Sequence, residues 1–261
     1  MNNSTLDFGN ETYYKNETRE QIDEDAIFFE FITNGVLLNL VGFLGIFGNI
    51  ISMIILSRPQ MRSSINYLLI GLARCDTVLI ITSVLLFGLP AIHGQTGLLF
   101  TYAYKVYPFI APYVYPLAMI AQTVTVYLTL TVTLERFVAV CHPLQARSLC
   151  TYGRARLYVV LIIIFSTLYN LPRFFEASRN EVFHRNTTVY IVVPSELRQD
   201  GMYISLYVHW LYLLFIYFIP FSLMAVLNAA IYRQVCIKWR ILDVFVVCKK
   251  RMGFPDAKQI R

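Results

Sequence analysis

The sequence predicts an all-α membrane protein of five spans, and three observations carry that prediction. Five apolar runs are long enough to cross a bilayer, apolar residues make up 57% of the chain against 15% charged, and basic residues crowd the segments on one side of those runs. A soluble domain of this length carries about a quarter charged residues. The hydrocarbon core of a bilayer is about 30 Å thick and takes about 20 apolar residues per helix. A helix satisfies its own backbone hydrogen bonds, as hydrocarbon requires. The expected spans are 31–57, 65–89, 108–140, 157–175 and 203–236.

Residues 1–30 are polar and acidic, with no apolar stretch between a basic start and a small-residue cleavage site, so no cleaved leader is expected. The first span is then expected to insert with the N-terminus outside the cell, which places the segment after the fifth span in the cytosol. Charge agrees with that orientation. The segments assigned inside (58–64, 142–156 and 233 onward) hold 13 Lys and Arg and those assigned outside hold 7, counting Arg173 at the outer end of the fourth span, as the positive-inside rule requires. Five glycosylation tripeptides begin at Asn2, Asn3, Asn10, Asn16 and Asn186, and all lie on the expected outer side.

The net charge of +6 is a property of the inner face, where it suits anionic lipid headgroups. With no soluble domain to carry a basic surface, nucleic-acid binding is not expected. The outer segments hold 12 Asp and Glu, a field that concentrates cationic ligands. Cys75, Cys141, Cys150, Cys236 and Cys248 all fall in spans or on the inner side, so no disulfide is expected. His93, His142, His184 and His209 are too scattered for a metal site. No phosphate-binding loop or catalytic triad pattern occurs, and an enzyme is not expected.

At the inner end of the third span stand Glu135, Arg136 and Phe137, followed by Cys141, His142, Pro143 and Leu144. A carboxylate beside a guanidinium at a membrane boundary can pair while buried and separate when the cation is drawn away. The structural alternative is a pair that anchors a helix end by snorkelling. Asp76 lies in the middle of the second span, where an ionisable group costs about 2.5–3.5 kcal/mol on insertion scales, and is therefore a functional candidate. Asn49 and Thr125 are the polar residues expected near it; a protonated Asp76 bonded between helices remains open.

These residues form a pattern. Glu135-Arg136-Phe137 with Pro143-Leu144, Gly48-Asn49 in the first span, Asn66 and Leu72-Ala73-Arg74-Cys75-Asp76 in the second, and Pro220 in the fifth resemble the motifs of the rhodopsin-like (class A) G protein-coupled receptors. Tyr217 stands where the fifth-span motif usually has Phe. The resemblance implies the five-helix portion of a seven-transmembrane receptor bundle. It further implies that Arg136 engages a heterotrimeric G protein, that Leu144 inserts into it, that Asp76 is the charged ligand of a sodium ion, and that Pro220 kinks its helix. No other cofactor is implied. Within the class, the stretch 66–89 and the Cys-His-Pro-Leu sequence look most like the invertebrate FMRFamide neuropeptide receptors. RFamide peptides end in a cationic Arg and an aromatic amide, which agrees with the acidic outer segments. Helical spacing turns Tyr115, Gln122, His209 and Tyr212 inward at the outer end, where they are the expected ligand cleft.

The pattern is also departed from. Ala111 stands where most members have a third-span Cys, Ile162 replaces the fourth-span Trp ten residues before Pro172, and no Cys occurs from Phe174 to Met202. Arg74 is a second charge in the second span; at i and i+2 it cannot face Asp76. Segment 237–261 is expected to be a basic cytoplasmic tail, because the apolar patch 244–247 is far too short to cross a bilayer. Cys248 beside three basic residues suggests S-palmitoylation. With no sixth or seventh span in these residues, the chain is expected to be a signalling-incompetent fragment or isoform, or a non-signalling partner of complete receptors.

Overall fold

The structure, a computed structural model, describes residues 24–184 and 187–251. Five helices long and apolar enough to cross a membrane run Glu24–Leu56, Ser64–Thr96, Tyr102–Cys141, Tyr152–Phe175 and Gly201–Arg240. The helices outrun the apolar runs. The first is already helical at Glu24, the first described residue, inside the segment expected to be a polar tail, and the last continues without a break to Arg251, inside the segment expected to be a cytoplasmic tail. Hydropathy marks where hydrocarbon begins and ends, whereas a helix continues until something caps it. At the second span the stop is Gly97, left-handed at φ 68°, whose N–H bonds back to the His93 carbonyl. At its other end Ser63 accepts a hydrogen bond from the Asn66 N–H and so caps the first turn.

Three stretches of wider, π-type turn end two residues before a proline: Val84–Gly88 before Pro90, Tyr102–Val106 before Pro108, and Leu213–Phe218 before Pro220. Proline lacks an N–H and its ring clashes with the carbonyl four residues back. Widening the preceding turn relieves that clash without breaking the helix. Pro220, where a kink is expected, follows such a π stretch and is itself fully buried.

The third span is the centre of the bundle. Leu68 of the second span, Val124, Leu128 and Val132 of the third, and Ala155 of the fourth form one buried cluster, with Ile162 packed on its edge. The first span buries only Gly35 and Gly42, and Phe43, Leu44 and Phe47 face outward, as expected of a helix whose surroundings are lipid. Small residues set its approach to the second span. A Cβ at Gly45 would lie 2.9 Å from Ile80, and one at Gly88 would lie 2.7 Å from the Asn39 side chain.

The all-α expectation missed one element. Between the fourth and fifth spans lies an antiparallel hairpin, β1 (Ala177–His184) and β2 (Thr187–Pro194), with Ala177 opposite Pro194. Two strands alone are marginal, and this pair is held from below. Val192 packs on Leu86 and Ala111, Tyr190 meets Phe109 edge-on with centroids 5.0 Å apart, and Arg179 lies over the same ring at 4.6 Å. Ala111, where a disulfide Cys was the alternative, thus holds the hairpin by apolar contact. Cys75, Cys141, Cys150 and Cys236 are free thiols.

Candidate functional site

At the hairpin end of the bundle the short turn Leu171–Phe175 follows the fourth span and points Arg173 and Glu176 into the protein. Both are almost fully buried, at 2% and 4% exposure. Arg173 Nη1 lies 3.7 Å from Glu176 Oε1 and donates to the Tyr115 hydroxyl at 3.2 Å. Its guanidinium also sits over the rings of Tyr207 and Tyr212, at 5.4 and 5.2 Å. Glu176 Oε1 accepts from the Tyr203 hydroxyl at 2.8 Å, and Oε2 lies 3.6 Å from Arg198 Nη1. One carboxylate thus faces two guanidiniums, and the faces of two tyrosines supply further negative charge to the buried one.

This cluster borders a cleft of about 350 Å³ at the hairpin end, lined by Tyr107, Ala111, Tyr115, Glu176, Val192 and Arg198 among others. Its backbone is anchored too: the Ser195 N–H donates to the Glu176 carbonyl at 2.9 Å and Ser195 Oγ donates to the Phe175 carbonyl at 2.6 Å. Of the four residues expected to form the ligand cleft, three come together. Tyr115 meets Arg173, and the Tyr212 hydroxyl donates to Gln122 Oε1 at 3.1 Å. The fourth, His209, is exposed and lies on the π-helical stretch Ile204–Leu211.

In mid-bundle, Thr125 Oγ1 donates to Asp76 Oδ1 at 2.8 Å and so ties the second span to the third. Asn49 is half-buried and makes no hydrogen bond to Asp76 among the described residues. The carboxylate and hydroxyl are oxygen donors of the type that hard cations take. Nearer the hairpin, Asn170 Nδ2 donates to Thr123 Oγ1 at 3.0 Å, a second polar tie that the sequence reading did not single out.

At the opposite end, Glu135 and Arg136 part company. Glu135 is buried at 5% exposure and its Oε2 accepts from Ser64 Oγ at 3.0 Å, while Oε1 has no partner. Arg136 is exposed, and no ion pair joins the two among the described residues. Adjacent helix positions point about 100° apart, so one turns toward the second span and the other away from it. Phe137 packs edge-on against His142, centroids 5.8 Å apart. Pro143 opens the short helix Pro143–Leu149, and Leu144 is 87% exposed on it. Lys238 of the fifth span donates to the Val140 carbonyl at 2.9 Å and closes this end. Cys150, in the loop beyond, has its thiol pushed up by burial and then by the Glu135 charge, so it is no ready nucleophile.

Asn2, Asn3, Asn10, Asn16 and Asn186 lie outside the described residues, as does the side chain of Cys248. The sequence reading also missed Arg173, Glu176 and Arg198. The available signal was the Arg-Phe-Phe-Glu sequence closing a span, two charges one helical turn apart at a depth where neither is cheap to bury.

Residues 48–239 match the sequence pattern of the 7 transmembrane receptor (rhodopsin family). Over 208 residues the chain is 61% identical to the FMRFamide receptor of Drosophila melanogaster, covering 79% of this chain and 38% of that one. It is 37% identical over 196 residues to the FMRFamide peptide receptor frpr-18 of Caenorhabditis elegans, covering 74% and 44%. With the thyrotropin-releasing hormone receptor of Gallus gallus it shares 29% over 190 residues, covering 72% and 45%. The chain spans less than half the length of each of these relatives.

Proposed function

We propose that this chain, which belongs to the rhodopsin family of 7 transmembrane receptors, supplies five spans of a receptor that couples an RFamide-type neuropeptide outside the cell to a heterotrimeric G protein inside. The protein is a multi-pass membrane protein of that receptor family; the ligand, the coupling and the orientation are the proposal. The observation that carries it is the cleft at the hairpin end, walled by Tyr107, Tyr115, Leu86 and Val192. A peptide ending in an aromatic amide asks for such walls around its ring. The likeness to two receptors named for FMRFamide supports the same ligand class.

In this reading Tyr115, Gln122 and Tyr212 receive the peptide, and Arg136, Phe137, Pro143 and Leu144 meet the G protein. Asp76 and Thr125 would hold a sodium ion between them, which would neutralise the mid-membrane carboxylate. The test is complementation: the chain is co-expressed with the C-terminal spans of the Drosophila FMRFamide receptor and titrated with FMRFamide. A saturable response is expected, with the 261 residues expressed alone as the baseline. Tyr115→Ala and Tyr212→Ala are each expected to lower peptide potency about tenfold or more, the scale of losing an aromatic anchor, without an equal fall in surface expression. Equal falls would make these tyrosines structural.

Orientation is tested separately. With the hairpin end outside, Asn10 or Asn186 becomes glycosylated, and endoglycosidase treatment shifts the mass of the expressed protein. A membrane-impermeant amine reagent that labels Lys249 on intact cells would reverse the assignment.

A further inference from the structure

Arg74 has no role in the sites above, and its surroundings give it one. It lies in the second span, two residues before Asp76. Residues at i and i+2 point about 200° apart on a helix, so while Asp76 turns to Thr125 of the third span, Arg74 turns away from the bundle centre. It is exposed, and among the described residues no carboxylate lies within ion-pairing distance of it.

Ser63, Asn66, Tyr67, Ile70 and Arg74 occur at helical spacing, one face of the second span, and together line a cleft of about 230 Å³. The cleft is closed by Leu56 and Ser57 of the first span, by Arg62, and by Tyr152 at the start of the fourth. Its other polar groups are committed locally. Ser63 Oγ accepts from the Asn66 N–H, and Asn66 Nδ2 donates to the Met61 carbonyl. Arg62 is held in place by the Tyr152 ring, 5.7 Å from its guanidinium carbon, and Tyr152 in turn packs edge-on against Tyr67 at 5.0 Å. Two guanidiniums thus converge on one polar cleft at the Arg136 end of the bundle.

We infer that this cleft binds the phosphate of an anionic membrane lipid, with a phosphoinositide headgroup the best match. A charge inside the membrane requires a counter-charge, the protein offers none here, and the leaflet at this end in the proposed orientation is the one that carries anionic lipids. A guanidinium grips a phosphate with paired hydrogen bonds. At about 230 Å³ the cleft has room for a phosphoryl group entering from the lipid side. Arg74 supplies the deep contact, its stem lying along the helix so that its head reaches the headgroup level, and Arg62 supplies the rim.

The purified chain, reconstituted in nanodiscs of phosphatidylcholine with a few mole per cent phosphatidylinositol 4,5-bisphosphate, is released into native mass spectrometry and its retained lipid counted. Retention of the phosphoinositide is expected on the parent chain. It should fall about fivefold or more in Arg74→Gln, by less in Arg62→Gln, and not at all in Arg147→Gln, a control on the short helix outside the cleft. Arg74→Lys should keep partial retention, which separates loss of the site from loss of folding. Equal retention in the parent and Arg74→Gln overturns the site. Retention of inositol 1,4,5-trisphosphate or inorganic phosphate without the lipid would assign the cleft to a soluble phosphate and overturn the lipid assignment. Neither readout depends on the peptide ligand, so failure here leaves the receptor reading standing.

Discussion

Replacing Glu176 by Gln should destabilise the protein by about 3–5 kcal/mol, the cost of breaking a buried pair by removing one partner. Glu176 is the anion that Arg173 and Arg198 share. Without it Arg198, which is 35% exposed, can turn to water, but Arg173 at 2% exposure cannot. The Tyr207 and Tyr212 faces lie over Arg173 with or without Glu176, so they do not reduce that loss. Removing both charges, as Arg173→Met with Glu176→Gln, should recover most of the stability, because no uncompensated ion is left. Thermal unfolding of the purified chain reads this directly. A single variant that melts with the parent, or a double variant that falls below either single, would show that the pair carries none of the stability ascribed to it.

The second large effect concerns signalling. In the complemented receptor, Arg136→Ala should abolish the peptide response at unchanged surface expression, because Arg136 is the exposed cation at the end proposed to meet the G protein. Glu135→Gln should behave differently. Glu135 already turns to Ser64 rather than to Arg136, and an amide oxygen can accept the same hydrogen bond, so the response should persist and its ligand-free level should not fall. An Arg136→Ala receptor that still responds in full would remove Arg136 from coupling. A Glu135→Gln variant as silent as Arg136→Ala would instead show that the two charges act as a unit. Both measurements are dose-response curves in cells, normalised to receptor at the surface.

The five spans were legible because lipid leaves a one-dimensional imprint: about 20 apolar residues in a row need no partner to be identified. The third-span triplet and Asp76 were legible for a related reason, since a charge at membrane depth is conspicuous wherever it sits. The hairpin was not. Thr187–Pro194 is rich in β-branched residues and Tyr, but a strand pair gains its stability from what it lies on, here Leu86, Ala111 and Phe109, and those contacts are far away in sequence. His209 stands exposed on a stretch of wider turns, and hydropathy does not report turn width.

The sequence by itself determined the membrane class, the number of apolar helices, the resemblance to rhodopsin-like receptors and the positions of Arg136, Asp76 and Pro220, all properties of single residues or of runs. Tertiary structure alone decided that Glu135 turns to Ser64 and not to its neighbour, that of the two expected residues Thr125 rather than Asn49 bonds to Asp76, and that Arg173, Glu176 and Arg198 converge under a hairpin. A hydrogen bond or ion pair depends on the relative rotation and depth of two helices. That arrangement is set by packing between residues tens of positions apart, with Gly45 against Ile80 and Leu68 against Leu128 among the contacts that fix it.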